Sequence, residues 1–313
     1  MKVLVTGGAG FIGRWVVKQL LHDEKQVWAV DNFSNGQPSN LAEFNGNSQL
    51  NVYEGDAADS PMMNRLFLEN KFDLCLHLAA NINVQDSIDN PKKTFLDDLA
   101  ATFTILEAAR PTRTKVVFVS SCMVYDVSPD AGVDEASPLL SRSPYAASKA
   151  AAEQLVQSFS HAYDLPTVVL RPFNTYGPFQ KTTAEGGVVA IFIKAALKNQ
   201  PLQIYGDGAQ TRDLLYVEDC ARFIIAAGYS ERANGQLFTA GSGRDICIND
   251  LAQLISRDKS KIVHVPHIHP QAEIQKMLCN PKKAAAILGW RPRVLLEEGI
   301  QKTTEWIINE TTH

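Results

Sequence analysis

Long hydrophobic runs, paired cysteines and blocks of like charge are all missing from this chain of 313 residues. The apolar stretch Gly187-Val-Val-Ala-Ile-Phe-Ile193 stops at Lys194, well short of the roughly 20 residues that a membrane helix needs. The start, Met1-Lys-Val-Leu-Val-Thr-Gly7, resembles the opening of a signal peptide but is broken by Thr6 and two glycines before an apolar region can develop. A soluble, cytoplasmic protein is therefore expected, with no membrane partner. Five cysteines, Cys75, Cys122, Cys220, Cys247 and Cys279, are widely spaced and form no C-x-x-C pair, which fits reduced thiols rather than a disulfide framework. A net charge of −4 without a basic block argues against a nucleic-acid partner. No internal repeat or low-complexity segment is visible. What remains is ordinary globular composition, 45% hydrophobic and 20% charged, in a chain long enough for a full α/β domain and a smaller one.

The N-terminal segment Lys2-Val-Leu-Val-Thr6 reads as a strand, Gly7-Gly8-Ala9-Gly10-Phe11-Ile12-Gly13 as a turn, and Arg14 to Leu21 as an amphipathic helix. Gly8-x-Gly10-x-x-Gly13 fits the dinucleotide fingerprint, and Gly7-x-x-Gly10-x-x-Gly13 fits its variant. The backbone there must turn tightly, approach a pyrophosphate and pack a helix on a strand, and the helix N-terminus offers free N–H groups to phosphates. Gln26-Val-Trp-Ala-Val-Asp31 ends in a carboxylate suited to ribose hydroxyls, and no arginine follows in Asn32-Phe-Ser-Asn-Gly36. That favours NAD over NADP. Asn51 to Asp56 and Phe72 to Ala80 read as two further strands. Asp56 is placed near the adenine, and Ala79-Ala80 lets a cofactor lie close, although ordinary strand ends would read the same way.

A second stretch carries chemistry. Lys115-Val-Val-Phe-Val119 has the β-branched, apolar character of a buried parallel strand and turns polar at Ser120 and Ser121. In Ser143-Pro-Tyr-Ala-Ala-Ser-Lys149, Pro144 opens a helix and places Tyr145 and Lys149 four apart on one face. A hydroxyl, a phenol and an ammonium brought together make a proton-transfer device. Taken singly, a Ser at a strand end is commonly a turn former, and a Tyr and Lys four apart are often surface residues. Residues 94–110 and Tyr145 to Tyr163 read as helices, and Leu165 to Arg171 as a sixth strand. The pattern implies a Rossmann-like, doubly wound parallel α/β sheet with a smaller mixed α/β substrate domain. Residues 1–172 and 212–235 are assigned to the NAD-binding part. Residues 173–211 and 236–313, with short strands at Gln236 to Ala240 and Lys261 to Val265 and a last helix from Leu296 to Ile308, are assigned to the other. Leu202 to Asp213 reads as a strand running into a loop.

With these motifs in hand, the sequence resembles the extended short-chain dehydrogenase/reductases that act on nucleotide sugars. Asp31-Asn32, His77-Leu-Ala-Ala80, Leu170-Arg-Pro-Phe-Asn-Thr-Tyr-Gly-Pro178, Gly206-Asp-Gly with Arg212-Asp213, Tyr216-Val-Glu-Asp219 and Leu288-Gly-Trp-Arg-Pro292 extend the likeness over nearly the whole chain. The resemblance implies that Tyr145 is the acid/base acting on a sugar hydroxyl. Lys149 would hold the ribose and, with the positive nicotinamide, lower the phenol's pKa, while Ser121 would bridge the two hydroxyls. It implies that Phe11, Ile12, Asn32, Asp56, Ala57, Leu78, Ala79 and Ala80 line the cofactor beside Gly7, Gly10, Gly13 and Asp31. Asn174, Val188, Tyr205 and Arg212 would bind a nucleotide-diphosphate sugar, Asn174 and Arg212 on the diphosphate and Tyr205 against the base. For Arg212 an ion pair with Asp213 or Glu218 is the rival reading. A homodimer built on the two helices flanking the central strand is also implied.

The sequence departs from the dehydratase pattern, in which an Asp-Glu pair follows the Ser/Thr. Cys122 and Met123 stand there. Met123 cannot be a base, while Cys122 is either a proton-transfer group or a small buried filler. Asp98 stands where an asparagine is common, Gly187 where an asparagine often precedes a helix, leaving room for a bulkier sugar, and Pro270 where an arginine is frequent. His264-Val-Pro-His267-Ile-His269, with Cys279 further on, has ligand-like spacing, but Pro266 and Pro270 mark a rigid loop and no metal is expected. The expected activity is an NAD-dependent 4-epimerase of a UDP- or dTDP-sugar working through a transient 4-keto sugar. The alternatives are a dehydratase or C5-epimerase using Cys122 as acid or base, and a non-catalytic NAD-sensing protein.

Overall fold

The computed structural model describes residues 1–81, 84–183, 187–256, 258–267 and 270–311. The first half is a strand-and-helix alternation: β1 (Lys2–Thr6), α1 (Phe11–His22), β2 (Gln26–Asp31), β3 (Leu50–Glu54), α2 (Ser60–Asn70), β4 (Leu74–His77), α3 (Val84–Asp89), α4 (Pro91–Thr112), β5 (Lys115–Val119), α5 (Pro144–Tyr163) and β6 (Thr167–Pro172). The second half is mixed: β7 (Asn174–Tyr176), α6 (Val188–Leu197), β8 (Leu202–Tyr205), β9 (Thr211–Tyr216), α7 (Val217–Tyr229), β10 (Gln236–Ala240), β11 (Asp245–Cys247), α8 (Ile248–Ile255), β12 (Ile262–Val265), β13 (Lys276–Met277), α9 (Lys282–Leu288) and α10 (Leu296–Thr311).

Seven strands form one parallel sheet in the order β10-β6-β5-β4-β1-β2-β3. The fold is α/β, a Rossmann-like doubly wound sheet. The interior strand β1 reads as a continuous apolar run because both faces are covered: Val3, Leu4 and Val5 are fully buried, Val3 and Val5 in the cluster with α1 and α7, Leu4 in the cluster with α2 and α4. Strand order reverses between β1 and β4, so ligands are expected outside the carboxyl ends of those strands.

The chain leaves the large sheet over one residue. β6 ends at Pro172, Phe173 is buried, and β7 begins at Asn174 in a smaller sheet where β9 pairs with β7, β11 and β13. β8 and β12 make a separate parallel pair. Two sequence expectations change here. Gln236–Ala240, assigned to the smaller part, pairs in parallel with β6 and closes the edge of the large sheet, because α7 carries the chain back under that sheet, packed on α1. The Arg212-Asp213 segment, read as loop, lies inside β9 and is paired on both sides; pairing partners distant in sequence leave no local trace.

Candidate active site

The glycine turn is shaped by backbone contact. Gly7 has φ of +71°, and a Cβ there would lie 2.9 Å from Ala79 N and 3.0 Å from Leu78 C. A Cβ on Gly13 would lie 1.9 Å from the Gly7 carbonyl oxygen, so any side chain would separate α1 from the turn. Gly10 caps α1 without a side-chain hydrogen bond, which leaves the helix's first N–H groups to a ligand. Phe11 and Ile12 begin the helix and pack partly buried on the core.

Asp31, at the end of β2, accepts from Ala9 N and Phe33 N, each at 2.9 Å. Burial pushes its carboxyl upward, opposed by these backbone donors. A carboxylate has further lone pairs beyond those two bonds, so ribose hydroxyls would relieve its desolvation. Next to it Asn32 Nδ2 donates to Asp56 Oδ2 at 3.0 Å, and Ala57 is buried. Leu78 and Ala79 follow β4, their N–H groups held by Thr6 O and Thr6 Oγ1 at 3.1 and 3.3 Å, and Ala80 stands partly buried beyond them. The structure thus gathers the predicted cofactor residues at the carboxyl ends of β1 to β4. A close backbone cradle and a buried acceptor are what a dinucleotide requires.

The residues expected to transfer protons lie just after β5 and on α5. Ser121 follows β5 and accepts from Met123 N at 3.2 Å, capping the short turn Cys122–Val124. α5 is started by Ser143, whose Oγ accepts from Ala146 N at 3.2 Å, by Pro144 in its first turn, and by Ser87 Oγ accepting from Tyr145 N at 3.1 Å. Tyr145 and Lys149 are both buried on the sheet-facing side of α5, and Ser121 is close enough to Tyr145 to act on its phenol. Burial pushes the phenol up, reinforced by the charge of Asp98 and opposed by Ser121. The protein alone therefore holds Tyr145 as a phenol, and the expected lowering needs the positive nicotinamide. Lys149 Nζ donates to Val119 O at 3.2 Å, one of three donors the ammonium offers. Burial pushes Lys149 down, while Asp98 and Glu153 oppose that.

Glu153, one turn beyond Lys149, escaped the sequence reading. It is fully buried and accepts from Arg171 Nε at 2.9 Å, Arg171 NH2 at 2.5 Å and Ser120 Oγ at 2.5 Å. The pair ties α5 to β6 and to the end of β5. The signal was present as Tyr145, Lys149 and Glu153 at successive fourth positions, but its partner on β6 was not visible.

Cys122 is buried with Sγ 3.9 Å from Asn174 Oδ1. Burial pushes its thiol up to about 12, only partly offset by Arg212, so it is a neutral thiol. Met123 packs against the apolar cluster around Val124 and Phe173. Arg212 donates to Thr211 O at 2.7 Å and Ile274 O at 2.8 Å and pairs with Glu273, whose other oxygen is 2.6 Å from His267 Nε2. The rival ion pairs with Asp213 or Glu218 are not those seen: Asp213 accepts from Ser242, Gly243 and Cys279 N–H groups. Tyr205 is 43% exposed with its ring 5.9 Å from that of His267, open to a stacking ligand. Val188 opens α6, and Gly187 caps it. The space expected at Gly187 is already filled, since a Cβ there would lie 2.4 Å from Gln180 Nε2. His264 turns instead to Asn249 Oδ1 at 2.9 Å, away from His267's partner; His269 lies outside the described residues.

Fold and site together define a dinucleotide-binding α/β protein with a buried phenol and ammonium on α5. Residues 3–241 match the model of the NAD dependent epimerase/dehydratase family. The chain is 35% identical to a UDP-glucose 4-epimerase of Mycolicibacterium smegmatis over 99% of its own length and 100% of the relative's. It is 31% identical to dTDP-glucose 4,6-dehydratase 1 of Escherichia coli, covering 99% of this chain and 94% of that one. Its structure superposes on that of Pal from Bacillus thuringiensis with a TM-score of 0.97 at 57% identity, covering 99% and 100% of the two chains. The chain belongs to the NAD-dependent epimerase/dehydratase family and is an NAD-using enzyme. Among the described residues no helix is long and apolar enough to cross a membrane.

Proposed function

We propose that this enzyme is a 4-epimerase of a UDP- or dTDP-sugar. The observation that carries the reading is the group of half-buried Ser121 with buried Tyr145 and Lys149, and the apolar Met123, not an acid, two residues beyond Ser121. Bound NAD supplies a reversible hydride acceptor. Tyr145, as phenolate, takes the proton of the C4 hydroxyl through its own oxygen or by way of Ser121 while the C4–H bond gives up hydride and C4=O forms. Lys149 holds the cofactor ribose. Once the 4-keto sugar presents its other face, Tyr145 would return the proton to O4 as the bound cofactor gives hydride back to C4, so the reaction would be redox-neutral. Asn174, Val188, Tyr205 and Arg212 bind the nucleotide sugar in this reading, Arg212 exchanging Glu273 for the diphosphate. The cofactor residues are those named above, on residues 1–172, 212–235 and β10; residues 173–211 and the chain beyond β10 bind the sugar nucleotide.

A second reading is favoured by Cys122, a neutral thiol beside Asn174. It would act as the acid in a dehydratase or C5-epimerase whose transient ketone acidifies C5. Incubation with UDP- and dTDP-sugars in deuterated water, followed by NMR, separates these. Inversion at C4 without label at C5 supports the epimerase, and deuterium at C5 replaces it with the second reading. Bound NAD without turnover would leave the sensor. We further propose a homodimer through α4 and α5, where Phe95, Phe103 and Tyr163 leave large apolar surfaces exposed; sedimentation checks it.

A further inference from the structure

Asp98, on α4, is a buried carboxylate that the reaction scheme does not use. It is 3% exposed. Its Oδ1 accepts from Asn81 N at 2.8 Å and its Oδ2 from Ser148 Oγ at 2.9 Å. The same Ser148 hydroxyl lies 2.9 Å from the carbonyl oxygen of Tyr145. Ser148 is between Tyr145 and Lys149 in sequence, so Asp98 grips the first turn of the helix that carries both.

We propose that Asp98 is a positioning residue of this site, a buried anion that anchors the start of α5 through Ser148 and sets the charge balance between Tyr145 and Lys149. The inference rests on the reading that these two residues serve the hydride steps.

An asparagine would make the same two hydrogen bonds, accepting from Asn81 N–H through its carbonyl and donating to Ser148 through its amide. What it would not supply is the charge. A negative charge in a water-poor site favours the ammonium of Lys149 and disfavours the phenolate of Tyr145, and both residues respond to Asp98 in those directions. The other groups around the pair do not duplicate it. Glu153 on α5 is spent on Arg171 of β6. His77 on β4 is buried and neutral between Thr6 and Thr102, and Cys122 is a neutral thiol. Lys93 and Asp97 on α4 pair with each other at the surface. Lys115 on β5 points to the carbonyls of Ala227 and Ser230. Arg65 and Glu69 of α2 and Asp86 and Asp89 of α3 are exposed. Of the two buried carboxylates whose charge acts on Lys149, Glu153 is paired with Arg171, whereas Asp98 is held by the neutral donors Asn81 N–H and Ser148 Oγ. Its charge opposes the effect of burial on Lys149 and disfavours the phenolate of Tyr145, which favours return of the proton once the ketone forms over release of the keto sugar.

The test compares wild type, Asp98→Asn and Ser148→Ala, all loaded with NAD. Phenolate formation by Tyr145 is followed by ultraviolet difference absorption, with Tyr145→Phe as the blank, and kcat and KM are measured against pH. Asp98→Asn is expected to lower the Tyr145 midpoint by about one pH unit, the lower end of what a neighbouring charge does. The acid and basic limbs of the kcat profile should both move down with it, and KM should stay unchanged. Ser148→Ala loosens the helix but keeps the charge, so it should lower kcat with the limbs in place. An Asp98→Asn protein that loses kcat or stability while midpoint and limbs stay put would overturn the proposal, since that is what a merely structural role predicts. If wild type turns over no nucleotide sugar, the reading of the reaction fails, while the phenolate titration still decides the role of Asp98.

Discussion

Around the glycine turn, where the cofactor is expected, the chain's own backbone makes the shape, whereas around Arg212, the proposed nucleotide-sugar end, charged side chains are held by one another. Gly7, Gly13, Leu78 and Ala79 touch through main-chain atoms with no room for a Cβ, and Asp31 is fixed by backbone donors. Arg212, by contrast, is paired with Glu273, and Glu273 with His267. The first region is complete before a ligand arrives. In the proposed function the second exchanges one set of partners for another, so its affinity would be a difference between two sets of charge-assisted bonds. That contrast suits an enzyme that keeps its cofactor and exchanges its substrate.

The strongest way to sharpen the comparison is to remove chemistry without touching either region. Tyr145→Phe is expected to lower kcat by about 10²- to 10⁴-fold with NAD still bound, measured by turnover and by cofactor content; full activity would end the proposed mechanism. Breaking the support between the regions comes next. Glu153→Gln leaves Arg171 as an uncompensated buried charge and should cost about 3–5 kcal/mol of stability, read from urea unfolding. At the exchanging end, Arg212→Leu should raise KM for the nucleotide sugar roughly 10- to 100-fold with a much smaller change in kcat, and leave NAD affinity alone; an unchanged KM would place the diphosphate elsewhere.

The smallest effect is one of pH. Burial and the charge of Lys149 hold His77 neutral in the folded protein down to about pH 3, whereas the unfolded chain protonates it near 6.5. Below 6.5 the unfolded state thus binds the extra proton, and stability falls as pH drops through that window, by about 2 kcal/mol at pH 5. A His77→Asn variant, less stable at neutral pH, should lose correspondingly less between pH 6.5 and 5 in thermal unfolding. An identical pH dependence would show that His77 does not carry it.

Much of the cofactor end was legible from the sequence because its signals are local. A strand, a glycine turn and a helix follow one another within β1 and α1, and Asp31 closes the next strand. The Tyr145 and Lys149 spacing is equally local, as is the Ser143-Pro144 helix start. Less of the other end could be read. Asp213 and Glu218 were nearer candidates for Arg212 than Glu273, which sits 61 residues away. Gly187 looked like empty space because Gln180, which fills it, comes from the preceding loop.

The sequence by itself determined where strands and helices form, that the first turn needs glycines, and that a phenol and an ammonium share a helix face, because periodicity and backbone sterics act over a few residues. Only the tertiary structure decided that Gln236–Ala240 completes the large sheet, that Glu153 locks α5 to β6, that Cys122 is buried, and that Asp98 reaches Ser148 on α5. Those facts depend on which distant segments share a buried, low-dielectric space, where a charge or a hydrogen bond takes its meaning from neighbours that the order of residues does not name.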